Sequence, residues 1–224
     1  MTRLLVLTAV DLEARTLARH LGLTHAGGAW WHFSGGSFEI IAVGIGACHL
    51  ETRAGTPAGR PLVVSAGACG ALAPELAAGA LVVPEAVLGP DGRRRATAIV
   101  TGPRRHGTLL TVDRVLEDAA AKARCWLETG ALAADMESAP ILDWAAARGL
   151  PALVVRGVSD PAARGVPADL ARVVHEGGRI HPMRAVSAML ARPRALADAV
   201  ALRTATTAAL KTVAATLGTL SRTL

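Results

Sequence analysis

Ala152-Leu-Val-Val-Arg-Gly-Val158 runs straight into Ser159-Asp160. A short apolar run of this kind, entered from Gly149 and Pro151, is what a strand covered on both faces requires. Such a strand belongs in a parallel sheet with helices above and below it. The neighbouring segments agree. Residues 137–148 have the spacing of an amphipathic helix, stopped by Gly149 and Pro151. Further upstream, residues 4–10, 38–43, 62–66 and 81–87 read as strands. Residues 11–21 read as a helix with acids in its first turn, and 111–122 as a further helix with a strand-like start. This alternation predicts an α/β fold, a three-layer sandwich around a mixed, largely parallel central sheet.

In sheets of this kind ligands bind beyond the carboxyl ends of the strands. Asp11 to Glu13, Gly44 to Gly46, Gly67 to Gly70 and Ser159 to Asp160 all fall there, so four distant segments are expected to meet at one cleft. Asp135-Met136-Glu137-Ser138 and Asp160 place further carboxylates among Ala, Leu, Val and Met. Acids in apolar company have partners or a task. Two acids in separate environments can divide chemistry between a donor and an acceptor. The pattern points to an enzyme that breaks a bond by protonating a leaving group.

Composition bounds the alternatives. A chain of 224 residues, 51% hydrophobic, fits one large domain. Cys48, Cys69 and Cys125 form no CxxC pair, and the histidines show no metal-ligand spacing, so neither a disulfide framework nor a metal site is indicated. The apolar start of the chain stops at Asp11 and reads as a buried strand rather than a signal peptide. No apolar run reaches the length of a membrane span. The expectation is a cytoplasmic protein, at most peripheral at the inner membrane face. Net charge is +6, with Arg93-Arg94-Arg95 and Arg104-Arg105-His106 in a Gly/Pro-rich segment that reads as a solvated loop or an anion contact. With aromatics at 3%, nothing interleaves with these charges to stack on bases, which argues against nucleic acid. Gly44-Ile-Gly46 is not a dinucleotide fingerprint.

From about Met183 the chain reads as helices without strands. Leu210, Val213, Leu217, Leu220 and Leu224 form a one-sided stripe, and no acid follows Asp198. The stripe fits a helix packed on the core or on a second subunit, or a basic helix resting on a membrane surface. Residues 1–182 are therefore taken as the α/β domain and 183–224 as a helical extension.

Several of these stretches, in order, resemble the purine nucleoside phosphorylase / methylthioadenosine nucleosidase superfamily. Val63-Val-Ser-Ala-Gly67-Ala-Cys-Gly70 resembles its glycine-rich segment, Asp135-Met136-Glu137-Ser138 its ribose-binding Met-Glu motif, and Arg156-Gly-Val-Ser159-Asp160 its closing strand with a base-recognising Asp. Ala9-Val-Asp11-Leu-Glu13 resembles the acidic turn of the nucleosidase branch. Ser159 to Pro167, Gly177-Gly-Arg-Ile180 and Ala191-Arg-Pro-Arg194 look like the hopanoid-associated phosphorylases.

The resemblance implies cleavage of an N-glycosidic bond with release of adenine, from adenosylhopane in the hopanoid branch or from methylthioadenosine or S-adenosylhomocysteine in the nucleosidase branch. It implies no cofactor, with inorganic phosphate as the candidate co-substrate, and a homo-oligomer. Asp160 would hydrogen-bond or protonate the base at N7, and Ser159 would belong to the substrate-binding set. Glu137 would hold the ribose hydroxyls, Met136 would pack beneath the sugar, and Glu13 would orient or deprotonate an attacking water. Gly46 and the Gly67-Ala68-Cys69-Gly70 backbone would line the substrate. Arg156 would support Asp160 or bind an anion, or else form a structural ion pair. A non-catalytic nucleoside-binding or membrane-associated module is the reading from another class.

The chain departs from the pattern in places. Ala68 stands where relatives carry Ser or Thr, and Ser65 where phosphorylases carry Arg, which weakens a conventional phosphate site. Val115 stands near the position of a base-stacking aromatic, leaving Trp31 as a candidate replacement. The short 88–108 segment implies an open 5' side.

Overall fold

The structure is a computed structural model that describes residues 3–28, 30–165 and 195–224. Its centre is a pair of parallel strands, β5 (Leu62–Ala71) and β11 (Ala152–Asp160). β11 lies beside β5 from Ala152 opposite Val63 to Val158 opposite Cys69, then a bulge sets Asp160 opposite Gly70. On the other side of β5 lies β1 (Leu4–Thr8), followed by β4 (Phe38–Ala42), both parallel. Antiparallel β3 (His32–Gly35) and β2 (Thr24–His25) close that edge.

The far end of β5 pairs antiparallel with β10 (Ala133–Asp135) through Gly70 and Ala71. From β10 the sheet continues to β9 (Thr108–Thr111), β7 (Ala86–Leu88) and β8 (Arg94–Ala96), while β6 (Leu81–Val82) pairs with β11. The sheet is mixed and largely parallel.

Strand alternation sorts the core into two sides. Leu4, Val6, Leu62, Val64, Leu153 and Val155 face α1 (Asp11–Leu21) and the C-terminal helix (Ala195–Thr223). Leu5, Leu7 and Val63 face the other way, onto α2 (Leu50–Ala54) and the helix Ser138–Ala147. These are the three layers expected, and they explain why β1 over Leu4–Leu7 and β11 over Leu153–Val155 are apolar on both faces.

Some elements differ from the sequence reading. The strand at 62–66 does not stop at Gly67 but runs on to Ala71, so the glycine-rich stretch is strand held between β11 and β10. The 81–87 strand divides at Val83-Pro84, because proline lacks the ladder N–H. The 111–122 helix forms only over its last residues. Thr111 ends β9, and α3 (Ala119–Thr129) starts after Asp118, whose carboxylate accepts from the Ala121 N–H at 2.7 Å. Strand β10 carries too few residues to show a period. Glu137 is the N-cap of α4 (Ser138–Ala147) rather than a first-turn residue.

The C-terminal helix, α5 (Ala195–Thr223), is part of the core. Leu210, Val213, Leu217 and Leu220 are fully buried against α1 and β11, while Leu224 is 38% exposed. The apolar stripe is therefore occupied by the chain's own sheet and is not free to rest on lipid. No helix among the described residues is long and apolar enough to cross a membrane. The boundary at 182/183, Gly177 to Ile180 and Ala191 to Arg194 lie outside the described residues.

Where α5 crosses β11, a Cβ on Gly157 would come 2.6 Å from the Ala209 carbonyl oxygen and 2.9 Å from its Cβ. Gly157→Val is expected to lower unfolding free energy by about 3 kcal/mol, the upper end of the cost of overpacking. Urea denaturation measures it, and an unchanged midpoint would contradict this packing.

Candidate active site

Glu13 sits in the first turn of α1, at the carboxyl end of β1. Its carboxylate folds back over the helix start, where Oε2 accepts from the N–H groups of Ala9 (3.0 Å) and Val10 (3.2 Å). Oε1 accepts from Ala68 N–H at 2.8 Å, tying α1 to β5. Residue 67 must lack a side chain, since a Cβ there would lie 2.5 Å from Glu13 Oε1 and 2.7 Å from Arg156 Nη1. Burial raises the Glu13 pKa above the usual carboxylate range, against the opposing pull of Arg156 and the three N–H donors.

Arg156 lies in the middle of β11 with no exposed surface. It pairs with Asp135 Oδ2 at 2.6 Å and with Glu137 Oε2 at 3.6 Å, and donates to Ser65 Oγ at 2.8 Å. Asp135 is clamped further by the Thr111 hydroxyl at 2.7 Å and the Ser138 N–H at 3.1 Å. Arg156 is thus the shared counter-ion of Asp135 and Glu137, and its charge also acts on Glu13. These contacts make Arg156 the structural ion pair that the sequence also allowed, held beneath the site by Asp135 and Glu137 rather than presented to an external anion.

Glu137 caps α4 and turns its Oε1 toward the Gly46 N–H at 3.2 Å. Burial pushes its pKa up to about 7, reinforced by Asp135 and Glu13 and opposed by Arg156. The folded state therefore binds a proton that the unfolded chain releases at lower pH. Stability should fall as pH rises from about 4.5 to about 7, and the penalty should be complete above that window. The shift corresponds to about 3 kcal/mol as an upper figure, at about 1.4 kcal/mol per pKa unit. Thermal unfolding of wild type and Glu137→Gln across this range checks it. The wild type should lose stability toward pH 8, and the variant less, keeping the part that the raised pKa of Glu13 contributes. Parallel profiles would contradict the assignment.

Asp160 ends β11 just beyond the bulge. Its Oδ1 accepts from Ser159 Oγ at 2.6 Å, and its Oδ2 pairs with Lys122 Nζ. Lys122 projects from α3 and is 2% exposed. Sequence reasoning missed it, since a lysine within Ala119-Ala-Ala-Lys-Ala has the local signature of a solvated helix residue.

These elements enclose a cleft of about 220 Å³. Of the residues singled out in the sequence, Glu13, Ala68, Cys69, Gly70, Val115, Met136, Glu137, Ser159 and Asp160 line it. Gly46 reaches it only through its N–H on Glu137, and Gly67 and Arg156 lie beneath Glu13. Burial pushes the Cys69 thiol far up, so it serves as wall rather than nucleophile. Lys122, Val112 and Leu116 are the additions. Trp31 is not among the lining residues. It stacks on Phe33 at 6.0 Å between centroids, with the Arg15 guanidinium 4.6 Å from its ring. Val112, Val115 and Leu116 supply an aliphatic wall instead.

The arginine loop is largely exposed, as a solvated loop would be, with Arg95 and Arg105 half-buried. Arg95 pairs with Asp91 at 2.8 Å and Asp143 at 2.7 Å, and Arg105 donates to the Thr97 carbonyl at 3.0 Å.

Comparison with known proteins gives the same picture. The profile of the Phosphorylase superfamily matches residues 97–192. A futalosine hydrolase of Streptomyces coelicolor is 33% identical over 198 residues, covering 70% of this chain and 83% of that protein. The chain belongs to the phosphorylase superfamily. It is an enzyme of that superfamily, and its fold is shared with solved members. Helicobacter pylori MTAN, solved as a mutant with 5'-methylthioadenosine in its active site, superposes with a TM-score of 0.70 at 15% identity over the full length of both chains. Native futalosine hydrolase of the same organism gives 0.68 at 17% identity, covering all of this chain and 98% of that one.

Proposed function

We propose that the protein hydrolyses the N-glycosidic bond of a purine nucleoside. One observation carries the reading: Glu13, Glu137 and Asp160, from three distant segments, line the same cleft. Cleavage develops positive charge on the sugar and negative charge on the departing base. Glu137 faces the sugar, where a carboxylate bonded to a ribose hydroxyl binds more tightly as that charge grows. Asp160, with Lys122, meets the base. Glu13 takes the proton of the attacking water.

Water is favoured over phosphate as nucleophile. Among the described lining residues Lys122 is the one cation, and it is bound to Asp160. Arg156 is spent on Asp135 and Glu137. A carboxylate at the nucleophile's position would also repel a phosphate dianion.

The substrate is sought first in the relatives. Futalosine follows from the Streptomyces relative and methylthioadenosine from the shared fold. Adenosylhopane rests on sequence likeness in 159–194, most of which lies outside the described residues, and the helix stripe that would have met a lipid surface is buried. Purified protein should be incubated with each nucleoside and the released base measured. Release from at least one supports the proposal. Tight binding without release from any would favour a non-catalytic module, against the three acids.

A further inference from the structure

Lys122 is the one buried residue of α3, a helix whose start is fixed by Asp118. The sequence pattern assigns it no task, yet it lines the cleft. Its Nζ meets three oxygens of two consecutive residues. It pairs with Asp160 Oδ2 and donates to the carbonyl oxygens of Pro161 (3.1 Å) and Asp160 (3.4 Å). These oxygens lie just past the bulge in β11, where pairing with β5 shifts between Val158 and Asp160. A bulge bends its strand and re-aims the side chain beside it, so the ladder alone does not set the direction of Asp160. Two side chains do. Ser159 Oγ lies 2.6 Å from Asp160 Oδ1, and Lys122 reaches Oδ2 from α3. Gly70 lets the pair rest on the β5 backbone, since a Cβ there would lie 2.9 Å from Asp160 Oδ2 and 3.4 Å from Lys122 Nζ.

We infer that Lys122 is a positioning residue that acts through Asp160: its three contacts pin the end of β11 and aim the Asp160 carboxyl group at the base. This rests on the hydrolase reading above. The contacts hold wherever the proton between Nζ and Oδ2 resides. As an ammonium, Nζ donates all three bonds. As an amine, it donates to the two carbonyls and accepts from a protonated carboxyl. Asp160 remains the group that meets the base in either form.

Lys122→Met removes the contacts and keeps an unbranched side chain. Turnover of a purine nucleoside should fall by about 10²-fold, the cost of a catalytic group misplaced by about 1 Å. The loss should fall on kcat, with KM within about threefold of wild type. Asp160→Asn should lose about 10²-fold as well, as expected for a lost general acid. In the double variant the two losses should not multiply. Its turnover should stay within about threefold of Asp160→Asn alone, because Lys122 then has no acid to aim. Retained turnover in Lys122→Met, a loss confined to KM, or losses that multiply to about 10⁴-fold would each overturn the inference. Should Lys122→Met not fold, Lys122→Gln runs the same cycle with the same deciding outcomes. If wild type cleaved no purine nucleoside, the hydrolase reading itself would fail and the inference with it, an outcome distinct from these.

Discussion

Glu13→Gln is expected to lower turnover by at least about 10²-fold, the range for loss of a positioned base. Glutamine has the same shape and cannot take up a proton from water. The substitution also disturbs binding geometry in a specific way. Oε1 and Oε2 both accept backbone N–H groups, from Ala68 on one side and from Ala9 and Val10 on the other. An amide must turn its NH₂ toward one of these donors, leaving that contact repulsive. A stability cost of about 1–2 kcal/mol is expected from the lost hydrogen bond. Removing a carboxylate that burial disfavours works in the opposite direction. The kinetic effect should therefore dwarf any shift in thermal unfolding. A variant as active as wild type would remove Glu13 from the mechanism.

Arg156→Met is expected to be the most destabilising single change in the site, at about 3–5 kcal/mol, the cost of removing one partner from buried ion pairs. Methionine fills similar volume, so the loss is electrostatic. It strands Asp135 and Glu137, both almost wholly buried, without their cation. Asp135 keeps its bonds to Thr111 and Ser138, which limits the damage without neutralising the charge. Two checks separate this from a packing defect. The variant should recover stability as pH falls and the acids take up protons. Asp135→Asn, destabilising in the wild type, should cost less in the Arg156→Met background, a coupling that a double-mutant cycle reads. Additive effects would contradict the shared-counter-ion account.

The layered fold was legible because β1, β4, β5 and β11 are mostly buried on both faces and so carry apolar runs. The start of α1 was legible from its acids, and its observed span is the expected one. The middle of the chain was not. β9 and β10 are only four and three residues long. α3 is marked mainly by the Asp118 cap, since its alanines suit any environment. The same cause hid Lys122, whose meaning depends on a helix position that the sequence could not supply. Glu13, Glu137 and Asp160 could be found because each sits at an element's end, where chain direction alone brings it to the cleft. The role of Arg156 could not be read so simply. A strand residue's direction is known only once the register with β5 places Arg156 opposite Gly67.

The central claim, hydrolysis of a purine nucleoside at this cleft, is tested most directly by product analysis in ¹⁸O-labelled water, with and without inorganic phosphate. The account predicts free sugar carrying ¹⁸O at C1', formed at the same rate in both conditions. Sugar 1-phosphate formed only when phosphate is present, with no label from water, would contradict it.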